Sequence, residues 1–356
     1  MTIHYRGAPI ATAMGAEPID QIRQMRATAL DRYSGGRQFV EHFAIPEWNI
    51  VPVTPTIETQ YLMAPGTAHV QRRFGGDGIT VVTGGDAGTA EGDFHCCLNW
   101  ASRPGEELPL LIIVTHNKFG ISTPSSQVQS QTSLNKLAEP FGIRNSMHNG
   151  NDVEEIWTAL EEAIAYIRKE RKPYCLQANV SRIFGHSSAT GANRVPEADC
   201  ITLFEEKLVK DGVMTRTEID GVWKKWKDHL KECLAQVRQE PLPEPADIWR
   251  HVFAEPATSP LDERGIIGMA IGIALAGGRP VAEIQFADYI FNTIDMLKLA
   301  GNLRWSSYGN YGVPLVIMTP VGAGIHGSIY HSHSFESMAT HIPGFKVVAP
   351  SNALDA

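Results

Sequence analysis

The sequence predicts an α/β fold built on two parallel sheets, because short apolar runs alternate with helical patterns in three places. The runs ITVVTGG and LPLLIIVTHN flank a helix-like segment at residues 92–102. Residues 142–184 contain a second alternation, and residues 259–356 contain a third. This pattern is typical of βαβ units, in which ligands bind just beyond the carboxyl ends of the strands.

Composition narrows the class of protein. A chain of 356 residues with 43% hydrophobic content can form a large core and two or more domains. Its net charge of −8 argues against a surface for nucleic acids or anionic membranes. The start, MTIHYRGAPI, lacks the features of a secretory or transit peptide, and no apolar run is long enough for a membrane span. Five cysteines without a CxxC pair favour a reducing compartment, so we expect the cytoplasm, or the mitochondrial matrix in a eukaryote.

Two polar residues follow the first pair of predicted strands. Asp86 comes directly after ITVVTGG, and Asn117 ends LPLLIIVTHN. A carboxylate, an amide oxygen, a backbone carbonyl and phosphate oxygens would together satisfy octahedral Mg²⁺. Ordinary turn chemistry remains the alternative for an Asp at a strand end. The stretch lacks the alternating acids of a calcium loop, and it contains neither GxxxxGK[ST] nor a GxGxxG directly after the strand.

The same stretch resembles a known family. GDAGTAEGDFH followed by NKFGISTP is similar to the thiamine diphosphate motif of the alpha subunits of 2-oxoacid dehydrogenases. The resemblance implies that Asp86, Asn117 and the backbone carbonyl of Phe119 bind Mg²⁺ on thiamine diphosphate. The family's glycine after the Asp is replaced by Ala87, whose methyl group is expected to crowd the diphosphate unless Gly88 compensates.

Residues near the amino terminus extend the resemblance. YRGAPI is similar to a family segment in which a Tyr-Arg pair reaches the diphosphate, which implies this role for Tyr5 and Arg6. An arginine suits phosphate because its planar fork stays charged, although such a pair is also common on protein surfaces. TPTIETQYLMAPGTA resembles the segment whose apolar residue wedges between the cofactor rings, here Ile57, with plain core as the alternative. Glu58 replaces a small family residue, so it needs a partner or a raised pKa.

Residues 142–184 predict a strand, a helix over 153–171 that lies on the sheet, and a second strand. Asp152 with Glu155 predicts a capping box at the start of this helix. The following loop, RIFGHSSATGA, resembles a family loop that closes over the diphosphate.

That loop resemblance implies cofactor contacts for Arg182 and His186, with His186 also acting on the substrate. A solvated histidine is the alternative. Ser187 and Ser188 match regulatory phosphorylation sites of the family, but the acids that commonly follow are missing.

The chain divides into three predicted segments. Residues 1–210 form an alpha-like domain that binds diphosphate and Mg²⁺, and residues 211–258 form a charged helix with a proline-rich linker. Residues 259–356 resemble part of the beta subunit of the same enzyme, which binds the pyrimidine. Its predicted strands are PVAEIQF, VPLVIMTP and FKVVAPS. The whole is similar to an alpha and beta fusion with a transketolase-like fold.

The beta-like segment contains further candidates. The resemblance implies that Leu261, Gln285 and Tyr289 face or pack on the aminopyrimidine, with sheet core as the alternative. His331 in YHSHS matches a family histidine that protonates or orients the substrate. A zinc site is the other alternative, because His326, His333 and His341 lie close to His331 in the sequence, although His-x-His has no third ligand at a fixed spacing.

Two expected features of a beta subunit are not found. The glutamate that activates the pyrimidine ring is not identified; Glu255 is the remaining candidate, and its context resembles an alpha carboxyl end. The beta carboxyl-terminal domain is absent after Ala356. We therefore expect either a longer polypeptide or a relative with weakened catalysis.

The resemblance implies oxidative decarboxylation of a branched-chain 2-oxoacid, with 2-oxoisovalerate as the first choice. The acyl group would pass to the lipoyl group of a dihydrolipoyl acyltransferase with help from His331 and His186, in a homodimer equivalent to an alpha2-beta2 heterotetramer. Pyruvate or acetoin dehydrogenase is one alternative. A non-catalytic thiamine diphosphate-binding or assembly protein is another.

Overall fold

The computed structural model describes residues 1–38, 41–54, 58–186, 195–249, 263–321 and 333–352. The helices are α1 (Ala8–Ala13), α2 (Pro18–Met25), α3 (Gln60–Phe74), α4 (Gly92–Ala101), α5 (Val153–Glu170), α6 (Cys200–Lys210), α7 (Arg216–Val237), α8 (Glu263–Leu275), α9 (Ile294–Ser306) and α10 (Glu336–His341). The strands are β1 (Thr80–Gly85), β2 (Leu110–His116), β3 (Phe119–Gly120), β4 (Thr123–Pro124), β5 (Arg144–Asn149), β6 (Tyr174–Asn179), β7 (Val281–Glu283) and β8 (Val316–Met318). Across these ranges, no helix combines the length and apolar composition needed to cross a bilayer.

The amino-terminal region, residues 1–249, contains a four-stranded parallel sheet in the order β1-β2-β6-β5. Side chains alternate between its faces, as the two-residue period of a strand requires. Leu110 and Ile112 of β2 pack under α3 and α4, whereas Leu111 packs under α5. Both faces are covered, which explains why β2 is apolar along its whole length. The predicted α/β fold with a parallel sheet is confirmed.

The start of α5 departs in one detail from its prediction. Asp152 is the N-cap, and its carboxylate accepts the N–H groups of Glu154 at 3.0 Å and Glu155 at 3.1 Å. The carboxylate of Glu155 accepts the N–H of Asn149 instead of that of Asp152. The prediction of a full capping box is therefore wrong: the hydrogen bond from the Asp152 N–H to the Glu155 carboxylate is not formed. The end of β5 lies over the first turn of α5, and its Asn149 N–H takes that place.

The carboxyl-terminal region, residues 263–352, is built on α8, α9 and the parallel pair β7-β8. Its core is formed by buried residues of α8 and α9 together with Ala282 and Ile284. The predicted strand FKVVAPS is not formed: residues 345–350 have no strand pairing, and Val348 is 79% exposed. These residues lack, within the described chain, the neighbouring strand that the prediction assumed.

The two regions meet where α3 crosses α8. A Cβ atom added to Gly66 would lie 2.5 Å from the carbonyl oxygen of Met269 and 2.9 Å from Cα of Gly272. A Cβ added to Gly268 would lie 2.6 Å from Cβ of Leu62. The helices are therefore in backbone contact, which only glycine permits at these positions.

The first residues of the chain extend the main sheet. Thr2 forms a parallel bridge with Val82 beside β1, with Thr2 N–H donating to the Val81 carbonyl at 2.8 Å. Because the chain then continues past the carboxyl end of β1, Tyr5 and Arg6 arrive at the edge of the sheet where Asp86 lies.

Candidate functional site

A pocket of about 390 Å³ lies at the carboxyl ends of β1, β2 and β6, within the size range of small-molecule sites. Eight residues predicted from the sequence line it together: Tyr5, Arg6, Asp86, Gly88, Asn117, Phe119, Arg182 and His186. They come from four separate stretches of the chain, so the fold brings together what the sequence keeps apart.

Asp86 is the most deeply buried acid of the pocket, at 1% exposure. It follows β1 and precedes a short 3-10 helix, Ala87–Ala90, and its Oδ1 accepts the Ala87 N–H at 2.9 Å. Its Oδ2 is buried and accepts no hydrogen bond from any described residue. Burial raises the pKa of Asp86, and the neighbouring His116 opposes that shift. A buried carboxylate oxygen without a donor is costly, and a hard cation would satisfy it.

Asn117 and Phe119 come from the adjacent strand end. The register of β1 and β2 places Gly85 opposite Thr115, and the N–H of Asp86 donates to the Thr115 carbonyl at 3.1 Å. After β2 the backbone turns at Lys118, whose φ is 70°, and Phe119 N–H donates to Asn117 Oδ1 at 2.9 Å. Asp86, Asn117 and Phe119 therefore line one pocket. Carboxylate, amide and backbone carbonyl oxygens are the kinds of donor that Mg²⁺ prefers.

Ala87 and Gly88 have different neighbours. A Cβ on Gly120 would lie 2.6 Å from the Ala87 methyl carbon, so Gly120 gives the Ala87 methyl its room. A Cβ on Gly88 would overlap the carboxyl group of Glu58. Gly120 therefore leaves room for Ala87 and Gly88 leaves room for Glu58, while the expected compensation by Gly88 at the diphosphate stays a prediction.

Two arginines bring positive charge to the pocket. Arg6 donates from Nη1 to the Tyr5 hydroxyl at 3.0 Å, and its Nη2 contacts Nδ1 of His186 at 3.0 Å and its carbonyl at 3.1 Å. The guanidinium of Arg182 lies 5.1 Å from the centre of the Phe119 ring. Burial, followed by the charges of Arg6 and Arg182, lowers the pKa of His186. The pocket therefore combines buried oxygen donors with positively charged groups suited to an anion.

Glu58 also faces the pocket. It is 3% exposed, has a left-handed φ of 67°, and accepts a hydrogen bond from Gln60 Nε2 at 3.1 Å. Burial raises its pKa to about 8, and the charges of Asp93, Glu91 and Asp86 add to the shift. Both conditions stated from the sequence for this acid, a partner and a raised pKa, are met.

His4 is a pocket residue that sequence reasoning missed. Its Nδ1 accepts the Arg6 N–H at 3.3 Å, and its backbone N–H donates to Thr83 Oγ1 at 2.8 Å. Burial lowers the pKa of His4 to about 3, with further lowering from Arg6, His42 and His186. The ring is therefore neutral and acts as an acceptor. No motif marks this residue; its position just before the Tyr-Arg pair is the available signal.

The beta-side candidates are not part of this pocket. Gln285 is exposed, which contradicts its sheet-core alternative, and Tyr289 is half-buried beside Phe286. Neither lines the pocket. The other candidates lie outside the described residues: Ile57, Ser187, Ser188, Glu255, Leu261, His326 and His331. Of the histidines in the zinc alternative, His333 and His341 are described, and Nδ1 of His333 lies 2.7 Å from Oδ1 of Asp288. The described residues contain no group of three or more His, Cys, Asp or Glu side chains that could hold a metal ion.

Two protein families match consecutive parts of the chain. Residues 1–246 match the family model of the dehydrogenase E1 component, and residues 251–356 match the pyrimidine-binding domain of transketolase. Both families bind thiamine diphosphate, typically with a divalent metal ion. The donor set around Asp86 fits such a group, since Oδ2 is left without a hydrogen bond there.

Individual relatives match one part of the chain each. The 2-oxoisovalerate dehydrogenase subunit beta of Bacillus subtilis is 41% identical over 99 residues, which cover 28% of this chain and 30% of the relative. The mitochondrial subunit alpha 2 of Arabidopsis thaliana is 32% identical over 166 residues, covering 47% of this chain and 35% of the relative. The human mitochondrial subunit alpha is 24% identical over 231 residues, covering 62% and 51%.

The chain thus spans about half or less of the length of these relatives. One family model nevertheless accounts for most of its residues. The chain therefore belongs to the dehydrogenase E1 component family, and joins in one transketolase-like polypeptide the parts that its relatives carry as separate alpha and beta subunits.

Proposed function

We propose that this protein oxidatively decarboxylates a branched-chain 2-oxoacid of the 2-oxoisovalerate type, using thiamine diphosphate and Mg²⁺. The acyl group would pass to the lipoyl disulfide of a dihydrolipoyl acyltransferase, which is reduced in that step. The observation that carries the proposal is the pocket in which Asp86 and Asn117 lie beside Arg6 and Arg182. The names of the relatives support the choice of substrate class.

Asp86, Asn117 and the carbonyl of Phe119 would hold the metal ion. Arg6 would bind the diphosphate with its charged planar fork, and Arg182 would add a second positive charge. When bound, thiamine diphosphate supplies the electron sink that makes loss of CO₂ from a 2-oxoacid feasible. The protein's part is to bind, orient and neutralise charge.

His186 is the described candidate for moving a proton. Because arginine can only donate, the contact from Arg6 makes Nδ1 of His186 an acceptor and leaves the ring proton on Nε2. The lowered pKa of His186 keeps the ring neutral. Its Nε2–H can therefore donate to a substrate oxygen. We assign to His331 the second catalytic role, which is to protonate or orient the substrate. Two copies of the chain would form the unit equivalent to an alpha2-beta2 heterotetramer.

The test is cofactor binding by the full-length protein, measured by calorimetry with thiamine diphosphate at fixed Mg²⁺. Asp86→Ala should weaken binding at least about 100-fold, beyond the 10–100-fold typical of losing an outer-shell partner. Asp77→Ala, at an acid whose side chain is 87% exposed, should bind as the wild type does. Equal binding by Asp86→Ala would contradict the proposed metal site.

Turnover then assigns the reaction. With a dye as electron acceptor, the wild type should decarboxylate 2-oxoisovalerate faster than it decarboxylates pyruvate and faster than it cleaves acetoin. Preference for pyruvate would contradict the substrate class. Tight cofactor binding without turnover of any of these compounds would favour a non-catalytic binding or assembly protein.

A further inference from the structure

His116 is a buried histidine of the site that the proposed reaction does not use. It is the last residue of β2, directly before Asn117, and is 5% exposed. Its ring lies between Gln177 of β6 and Asp86 at the end of β1. A buried ring with partners on both sides has a defined orientation, so its two nitrogens can be assigned separately.

Hydrogen bonds from the neighbouring strand fix the ring proton. The N–H of Asn135 donates to Gln177 Oε1 at 3.0 Å, which orients the Gln177 amide. The Nε2 of Gln177 then shares its two hydrogens among three acceptors: Nδ1 of His116 at 3.0 Å, the Thr132 carbonyl at 3.0 Å and Oδ1 of Asn179 at 2.8 Å. Since an amide nitrogen can only donate, Nδ1 of His116 is the acceptor in its contact with Gln177. Because Nδ1 accepts this hydrogen bond, the ring proton is on Nε2.

That proton faces the predicted metal ligand. Nε2 of His116 lies 3.5 Å from Oδ2 of Asp86 and 3.4 Å from Oγ of Ser125. Both distances exceed the usual 2.7–3.2 Å of a hydrogen bond, so the N–H lies between two acceptors and is not committed to either. Oδ2 is the carboxylate oxygen that accepts no hydrogen bond from the described chain.

We propose that His116 is a positioning residue for the metal site: its Nε2–H holds the Asp86 carboxylate in the orientation that binds Mg²⁺. This inference rests on the proposed function, since it assigns a purpose to a ligand of that site. Outer-shell partners of this kind hold ligating carboxylates in place, and losing one typically lowers metal affinity 10–100-fold.

A purely structural role for His116 predicts something different. If the ring only filled space between β1 and β6, its replacement would lower stability and leave metal affinity unchanged. If the ring acted only through its contact with Ser125, then Ser125→Ala would lower metal affinity as much as removing the ring does. Metal affinity and these paired variants therefore separate the three roles.

The decisive experiment is Mg²⁺ titration of the full-length protein in the presence of thiamine diphosphate, followed by calorimetry. His116→Phe, which keeps the ring volume without a donor, should weaken Mg²⁺ binding 10–100-fold. His116→Gln should restore most of the affinity, because its amide can accept from Gln177 and donate to Asp86. Ser125→Ala should bind Mg²⁺ as the wild type does.

The tautomer is tested independently by nitrogen NMR of ¹⁵N-histidine-labelled protein without cofactor, with His116→Gln identifying the signal. A protonated Nε2 and an unprotonated Nδ1 are expected, and the reverse would overturn the inference. If the wild type binds Mg²⁺ tightly and His116→Phe binds it equally well, only this inference fails. If the wild type binds no Mg²⁺, the proposed function fails, and with it the purpose assigned to His116.

Discussion

The amino-terminal and carboxyl-terminal regions have the same kind of architecture but differ in how much of a site they form. The first has four parallel strands of six or seven residues, covered on both faces, and its strand ends form a pocket. The second has two strands of three residues, and its described site candidates are exposed or half-buried. A pocket at strand ends needs neighbouring strands long enough to hold their turns in register.

The turns of the amino-terminal region show this dependence. Asp86 and Asn117 point into one pocket because β1 and β2 are paired along their whole length, up to Gly85 and Thr115. Glu58 then packs against Gly88, so an acid is buried beside the turn that carries Asp86. We therefore expect that the loss of stability caused by forming a site, such as the burial of Glu58, occurs in the amino-terminal region.

The largest expected effect concerns Glu58 and pH. An unfolded Glu58 titrates near its ordinary pKa of 4.5, whereas the folded protein holds that pKa at about 8. Between these values the folded state retains a proton that the unfolded state has lost, so stability falls as pH rises. The contribution is fully present below about pH 4.5 and fully lost above about pH 8.

Glu58→Gln should remove this dependence. Relative to the wild type, the variant should gain roughly 3 kcal/mol in free energy of unfolding between pH 5 and pH 8, measured by urea denaturation at each pH. Asp77→Asn, at an acid whose side chain is 87% exposed, is the control and should follow the wild type. Parallel pH profiles for the wild type and Glu58→Gln would show that Glu58 is not protonated in the folded protein.

The second effect tests the crossing of α3 and α8, which joins the regions. A Cβ on Gly272 would meet the backbone of Met63 and Gly66, neither of which can rotate away. Gly272→Ala should therefore destabilise the protein by about 2 kcal/mol, as overpacking does, despite alanine's higher helix propensity. Gly221→Ala, in the middle of α7 with no atom near its Cβ position, should stabilise by about 0.5–1 kcal/mol. If both variants stabilise, the two helices are not in backbone contact.

The sequence allowed parts of this picture to be predicted and not others. Asp86 and Asn117 could be found because strand ends and a motif mark them, and Arg6 because a resemblance marks it. The partner of the Ala87 methyl, Gly120, depends on how two turns meet in space, and no local pattern encodes that. The predicted strand FKVVAPS failed because a strand needs a neighbour, which an apolar run alone does not guarantee.

His4 and His116 show the same limit within the site. Each is positioned by hydrogen bonds to residues far away in the chain, such as Thr83 and Gln177. The ring chemistry of His116, a lone pair on Nδ1 and a proton on Nε2, follows from its contact with Gln177. That of His4 follows from the Arg6 N–H that its Nδ1 accepts. Sequence reasoning identifies residues that act through their type, and it misses residues that act through their neighbours.

The smallest effect measures the electrostatic link between the regions. Arg264 of α8 donates to Asp93 of α4 through two hydrogen bonds, Nε to Oδ1 at 2.8 Å and Nη2 to Oδ2 at 3.0 Å. The Asp93 side chain is 8% exposed and that of Arg264 is 30% exposed, so the pair is only partly screened by water. A double-mutant cycle with Arg264→Ala and Asp93→Ala should give a coupling of about 1 kcal/mol, at the upper end of values for exposed pairs. Arg264→Lys should keep less than half of it, because lysine cannot form the two-bond contact. A coupling near zero would contradict this electrostatic link and leave the packing of α3 on α8 as the contact that joins the two helices.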